Sequence, residues 1–118
     1  TMTAPKVLVT GGGRGIGRAI ALRFAREGAR VVVAARTSTE LDNVVAEVER
    51  AGGAAIAAQM DVRDFGSVEA AVWRAVQFLG DSIDVLVNNA GVFDVQPIDK
   101  LDLAKWRWMQ EVNVDGPL

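Results

Sequence analysis

The stretch Val7-Leu8-Val9-Thr10-Gly11-Gly12-Gly13-Arg14-Gly15-Ile16-Gly17 constrains the fold more than any other part of the chain. Its apolar start, without alternation, reads as a short strand from Lys6 to Thr10 that is buried on both faces. After the glycines, Ile16, Ala19, Ile20, Leu22 and Phe24 recur at helical spacing, which predicts a helix from Gly15 to Glu27 stopped by Gly28. Glycines between a buried strand and a helix start let the main chain turn sharply and let a ligand approach bare backbone. The first N–H groups of a helix have no partner within it, and the helix dipole favours an anion there. The segment therefore points to phosphate binding. The bland alternative is a glycine-rich turn that holds nothing.

The same alternation continues. Ala29 to Ala35 reads as a second buried strand. Thr37 to Thr39 supply cap residues for a helix whose stripe is Leu41, Val44, Val45 and Val48, ended by Gly52-Gly53. Ala54 to Met60 is a third, alanine-rich strand, and Asp61 to Asp64 a turn. A helix follows from about Ser67 to Leu79, with Val68, Val72, Val76 and Leu79 on one side. Ile83 to Val87 is a fourth strand, and Asn88 to Pro97 reads as a loop. Asp102 caps an expected fourth helix carrying Trp106, Met109, Val112 and Asn113. Strands alternating with helices predict an α/β, Rossmann-like doubly wound parallel sheet of about four strands, order 3-2-1-4, with helices on both faces. Residues 1–118 then form one partial dinucleotide-binding domain. In that order the loops at 10–17 and 88–91 meet in the crevice at the carboxyl ends of the first and fourth strands.

Composition narrows the function classes. Thirteen Lys and Arg against fifteen Asp and Glu leave a formal charge of −2, with no basic stripe for nucleic acid. No apolar run approaches the roughly 20 residues of a membrane span. No leader pattern precedes the first strand, so the expected compartment is the cytoplasm. The chain has no cysteine and no histidine, so no metal site is expected. Trp73, Trp106 and Trp108 are expected to pack against apolar neighbours, not to stack on bases.

The glycine loop fits neither common phosphate template. A G-x-G-x-x-G reading lands on Ile16 or Arg18, and Gly17 is followed by Arg18-Ala19 where a P-loop needs Lys-Ser/Thr. It fits Thr-Gly-x-x-x-Gly-x-Gly. With Asp61-Val62, Asn88-Asn89-Ala90-Gly91 and Asn113-Val114-Asp115-Gly116 in the same order, the chain resembles the short-chain dehydrogenase/reductase family in its ordinary, non-extended branch. The resemblance runs from Thr10 to Gly116 and corresponds to the amino-terminal half of the family pattern.

The resemblance implies that Thr10, Gly11, Gly13, Arg14, Gly15, Ile16 and Gly17 wrap a pyrophosphate. It implies that Asp61 accepts from an adenine amino group with Val62 beside the ring. Asn88, Ala90 and Gly91 then line the ribose and nicotinamide side, and Asn113 supports a proton-relay water in the catalytic apparatus. Each position keeps a structural alternative: a turn cap for Asp61, ordinary turn residues at Asn88-Asn89, a solvated helix position for Asn113. At the end of the second strand, NAD-binding members carry an acidic residue. Here Ala35 stands there, followed by Arg36. A guanidinium attracts a 2′-phosphate and binds it in a fork, so NADP(H) is expected over NAD(H), with Arg14 as a second clamp. The alternative is that both arginines are solvated surface charges.

In the family, chemistry needs a serine and a Tyr-x-x-x-Lys downstream of these motifs. This chain has no tyrosine, so the expectation is cofactor binding without turnover here and hydride transfer with an alcohol or ketone in the parent protein. An unpaired fourth strand would present an exposed edge, which predicts a homo-oligomer. The competing reading is a non-catalytic dinucleotide-binding or assembly module.

Overall fold

Strand β1 (Lys6–Thr10) is the centre of the computed structural model, which describes residues 4–11, 13, 15–61, 63–80, 83–88 and 94–97 (backbone alone for Asn88 and 94–97). It is followed by α1 (Gly15–Arg26), β2 (Arg30–Ala35), α2 (Ser38–Arg50), β3 (Ala54–Gln59), α3 (Phe65–Leu79), β4 (Val85–Asn88) and β5 (Asp94–Pro97). The sheet order is β3-β2-β1-β4-β5. The first four strands are parallel, in the expected order 3-2-1-4, with Thr10 opposite both Ala34 of β2 and Asn88 of β4. The expected fourth helix, with Asp102, Trp106, Met109, Val112 and Asn113, lies outside the described residues.

The strands are apolar on both faces because both faces are covered. Val7, Val9, Val31, Val33 and Val87 share a core with Ala21 and Ala25 of α1 and Leu41, Val44 and Val48 of α2. Leu8, Val32, Ala34 and Leu86 form the other core with Val68, Val72, Ala75, Val76 and Leu79 of α3. Removing one such buried leucine typically costs about 2–5 kcal/mol, so these two cores supply most of what fixes the layers. On the first face, Arg18 grips Glu47 across the helices, with Nε donating to Oε1 at 3.0 Å and Nη2 to the same oxygen at 2.7 Å. That contact holds the Glu47 carboxyl below its ordinary range.

Three expectations need correction. First, residues 94–97 are not loop: β5 runs antiparallel to β4, pairing Val87 with Val95 and Val85 with Pro97. A proline suits an edge strand, where its missing N–H is not needed. The β4 edge is therefore paired, and the exposed-edge argument for a homo-oligomer loses its premise. Second, α3 starts at Phe65 and not near Ser67, because the Asp64 carboxylate accepts from the Gly66 and Ser67 N–H groups and caps the helix earlier. Third, Trp73 does not pack: it is 67% exposed, one position off the α3 stripe.

Candidate functional site

Parallel strands with one register end together, so the segments after β1, β2, β3 and β4 meet along a single edge of the sheet. Adjacent strands lie about 4.8 Å apart, so this edge brings residues far apart in sequence within reach of one ligand. From one side to the other, it carries Asp61 after β3, Arg36 after β2, the glycine loop after β1 and Asn88 ending β4.

Thr10 is completely buried, and its Oγ1 donates to the Val87 carbonyl at 3.4 Å. Gly11 follows with φ 66°, and its N–H donates to Ala34 O at 2.7 Å, tying the loop to the end of β2. Gly15, the first residue of α1, has φ 60° with nothing near the position of a Cβ. Both backbones are left-handed, which side chains resist and glycine does not. Gly13 is different: it is buried, and a Cβ there would lie 3.0 Å from Glu40 Cβ in α2. Ile16 is 66% exposed, leaving an apolar group open to solvent beside the loop. Gly17 is buried within the first turn of α1, which contains no acidic residue to compete for its N–H groups.

At the far side, Arg36 is exposed, and its carbonyl accepts from Gln59 Nε2 at 2.8 Å. The Asp61 main-chain N–H donates to Ser67 Oγ at 2.9 Å. Its carboxylate is held by Arg63: Nε to Oδ1 at 3.1 Å, Nη2 to Oδ2 at 3.1 Å, and the Arg63 main-chain N–H to Oδ1 at 3.0 Å. Those side-chain bonds, then the main-chain bond, hold the Asp61 carboxyl down at about 2 and push the Arg63 guanidinium up. Asp61 is thus an anion at any working pH, with the Arg36 charge nearby adding slightly to this.

The fold therefore brings Thr10, Gly11, Gly13, Gly15, Ile16, Gly17, Arg36 and Asp61 to one edge together with the Asn88 backbone. Arg14, Val62, Ala90, Gly91 and Asn113 lie outside the described residues. Sequence reading missed Arg63, Ser67 and Glu40. For Arg63 a signal existed, since an arginine two residues after an aspartate in a turn is placed to close on it. For Glu40, whose contact with Gly13 joins distant residues, none did.

This edge fits a dinucleotide: left-handed glycine backbone, a helix whose first turn has no acidic residue of its own, and a fixed anionic acceptor beside an exposed guanidinium. Comparison with known proteins gives the same direction. The short chain dehydrogenase family model matches residues 5–118. The chain belongs to that family. Among its short chain dehydrogenase relatives, hydroxysteroid dehydrogenase-like protein 2 of Xenopus laevis is 39% identical over 117 residues, covering 93% of this chain and 28% of that protein. This chain thus spans under a third of that relative's length. A variant of actinorhodin polyketide ketoreductase solved with NADPH is 43% identical, with a TM-score of 0.70 over 75% of this chain and 34% of that one. A metagenomic short-chain oxidoreductase in complex with NADP is 40% identical, with a TM-score of 0.70 over 76% of this chain and 40% of that one. No helix among the described residues is long and apolar enough to cross a membrane.

Proposed function

We propose that residues 1–118 form a partial dinucleotide-binding domain, the NADP(H)-binding portion of an oxidoreductase acting on an alcohol or ketone. The observation that carries the cofactor choice is the end of β2, where Ala35 leaves no carboxylate and Arg36 stands exposed. A carboxylate there would accept from ribose hydroxyls and repel a 2′-phosphate, whereas a guanidinium attracts it. The two related structures that hold NADPH and NADP support the same choice.

In this reading Thr10, Gly11, Gly13, Arg14, Gly15, Ile16 and Gly17 cradle the pyrophosphate. Asp61 and Val62 take the adenine, Arg36 takes the 2′-phosphate, and Asn88, Ala90 and Gly91 line the nicotinamide side. Asn113 positions a water for the proton that accompanies reduction. The bound dinucleotide supplies hydride exchange with a carbon bearing a hydroxyl or carbonyl oxygen. The 118 residues contain no tyrosine, histidine or cysteine, so the chain by itself binds without turnover. The expected homo-oligomer needs a surface other than the β4 edge, which β5 occupies.

Titration of NADPH and NADH into the chain tests the assignment. A hydrogen bond to a charged group contributes about 1.5–3 kcal/mol. Arg36→Ala should therefore weaken NADPH by roughly 10- to 100-fold and leave NADH nearly unchanged. Equal losses for both cofactors would overturn the assignment of Arg36 to the 2′-phosphate.

A further inference from the structure

The fork between Asp61 and Arg63 leaves a specific gap. A carboxylate offers about four lone-pair sites. On Oδ1 two are filled, by Nε and the main-chain N–H of Arg63; on Oδ2 one is filled, by Nη2. Among the described residues no other donor reaches Oδ2. The Asp61 side chain is 34% exposed, so a ligand can approach it. The residue is fixed from both ends, since Ser67 Oγ accepts its main-chain N–H while Arg63 grips its carboxylate.

The geometry points to Arg63 as a positioning residue that presents a single acceptor, the remaining lone pair of Asp61 Oδ2, to the exocyclic amino group of a purine. The site then takes a 6-amino purine and rejects a 6-oxo purine. This rests on the dinucleotide reading and on Asp61 as the adenine contact. A 6-amino group donates to the waiting oxygen. A 6-oxo group sets an acceptor against an acceptor, and a site built around a hydrogen bond rejects the analogue that lacks it. Rotation of the carboxylate toward water would relieve that conflict, and the fork prevents rotation. Removing the guanidinium leaves only the main-chain N–H of residue 63 on Oδ1 and releases Oδ2, so discrimination falls even though Arg63 itself need not touch the base.

The test is a matched titration of NADPH and its 6-oxo (hypoxanthine) analogue into the 118-residue chain, read by nicotinamide fluorescence. The unaltered chain should prefer NADPH by roughly 10- to 100-fold. In Arg63→Ala the preference should collapse to within about threefold, chiefly through weaker NADPH binding. Arg63→Lys, a point charge without the planar fork, should restore part of it. Asp61→Asn, whose amide donates as well as accepts, should admit the 6-oxo analogue. The Arg63 side chain is 64% exposed, so Arg63→Ala should keep the circular dichroism spectrum of the unaltered chain. Equal weakening of both ligands in Arg63→Ala, with the preference intact, would reduce Arg63 to a phosphate-attracting charge and overturn the proposal. So would an unaltered chain that binds both ligands equally. Binding of neither ligand by the unaltered chain would overturn the dinucleotide reading as well, a result distinct from the other two.

Discussion

Replacing Gly13 by alanine sets a methyl group 3.0 Å from Glu40 Cβ and 3.3 Å from Glu40 Oε1. The nearest atom is the root of a side chain on α2, which moves only if the helix moves. Forcing an extra carbon into a filled space costs about 1–3 kcal/mol. Against this, alanine restricts the unfolded chain and returns about 0.4–1 kcal/mol where the backbone is compatible, and Gly13 is not among the residues at positive φ. The expected net loss is about 1–2 kcal/mol. Gly15 offers the complementary case: open space but φ 60°, where a Cβ costs about 1–2 kcal/mol through backbone strain alone. Asparagine separates the two, because it tolerates left-handed backbone but not a crowded site. Gly15→Asn should cost only a few tenths, about 0.5 kcal/mol at most, and Gly13→Asn at least as much as Gly13→Ala. Urea unfolding followed by far-UV circular dichroism without ligand measures this, with midpoint losses of about 0.5–1.5 M for the Gly13 variants. If Gly13→Ala leaves the midpoint unchanged and only weakens NADPH, the glycine serves the ligand and not the packing of the loop on α2, and the steric argument fails.

Two further predictions concern the turn after β3. Asp64→Ala should cost about 1 kcal/mol by uncapping α3, while Asp64→Asn should be nearly neutral; equal thermal shifts for the two would remove the capping role. Asp61, held at about 2, releases its proton more readily folded than unfolded. Its fork therefore stabilises the fold above about pH 4, where the unfolded carboxyl is also ionised, and that contribution is lost as pH falls toward 2. Asp61→Asn should flatten the stability profile across this window, and an unchanged acid slope would exclude the fork as its source.

Much of the fold was legible because its signals are local and repeated. Val31-Val32-Val33 and Val7-Leu8-Val9 can only be strands buried on both sides, and Gly28 and Gly52 mark where the preceding helices stop. The start of α3 was not, because Asp64 and Ser67 are both good caps and only the folded turn shows Ser67 already engaged by Asp61. β5 was hidden by its brevity: Asp94-Val95-Gln96-Pro97 is too short to display a period, and its pairing depends on β4 being there. Trp73 was readable and misread, since Val72 and Val76 define the stripe and the next position must turn away from it. At the site, the glycines, Arg36 and Asp61 could be placed because topology alone brings strand ends together. The Arg63 fork was announced only by its two-residue spacing from Asp61 in a turn, and the Gly13–Glu40 approach joins distant residues that no spacing announces.

Central strand β1 is oily on both sides: Val7, Leu8 and Val9 are all at most 1% exposed. Sliding it by one residue would exchange one hydrocarbon face for the other without wetting either, so burial alone cannot choose its alignment. The choice falls to polar pins at its two ends. At the start, the Lys6 N–H donates to Asp84 Oδ2 at 2.9 Å and the Lys6 carbonyl accepts from the Asp84 N–H at 2.8 Å. At the finish, the Thr10 hydroxyl reaches Val87 O at 3.4 Å and the Gly11 N–H reaches Ala34 O at 2.7 Å. The residues that open the proposed cradle are therefore also those that stop the strand from slipping, so the same few atoms carry a folding instruction and begin the candidate site.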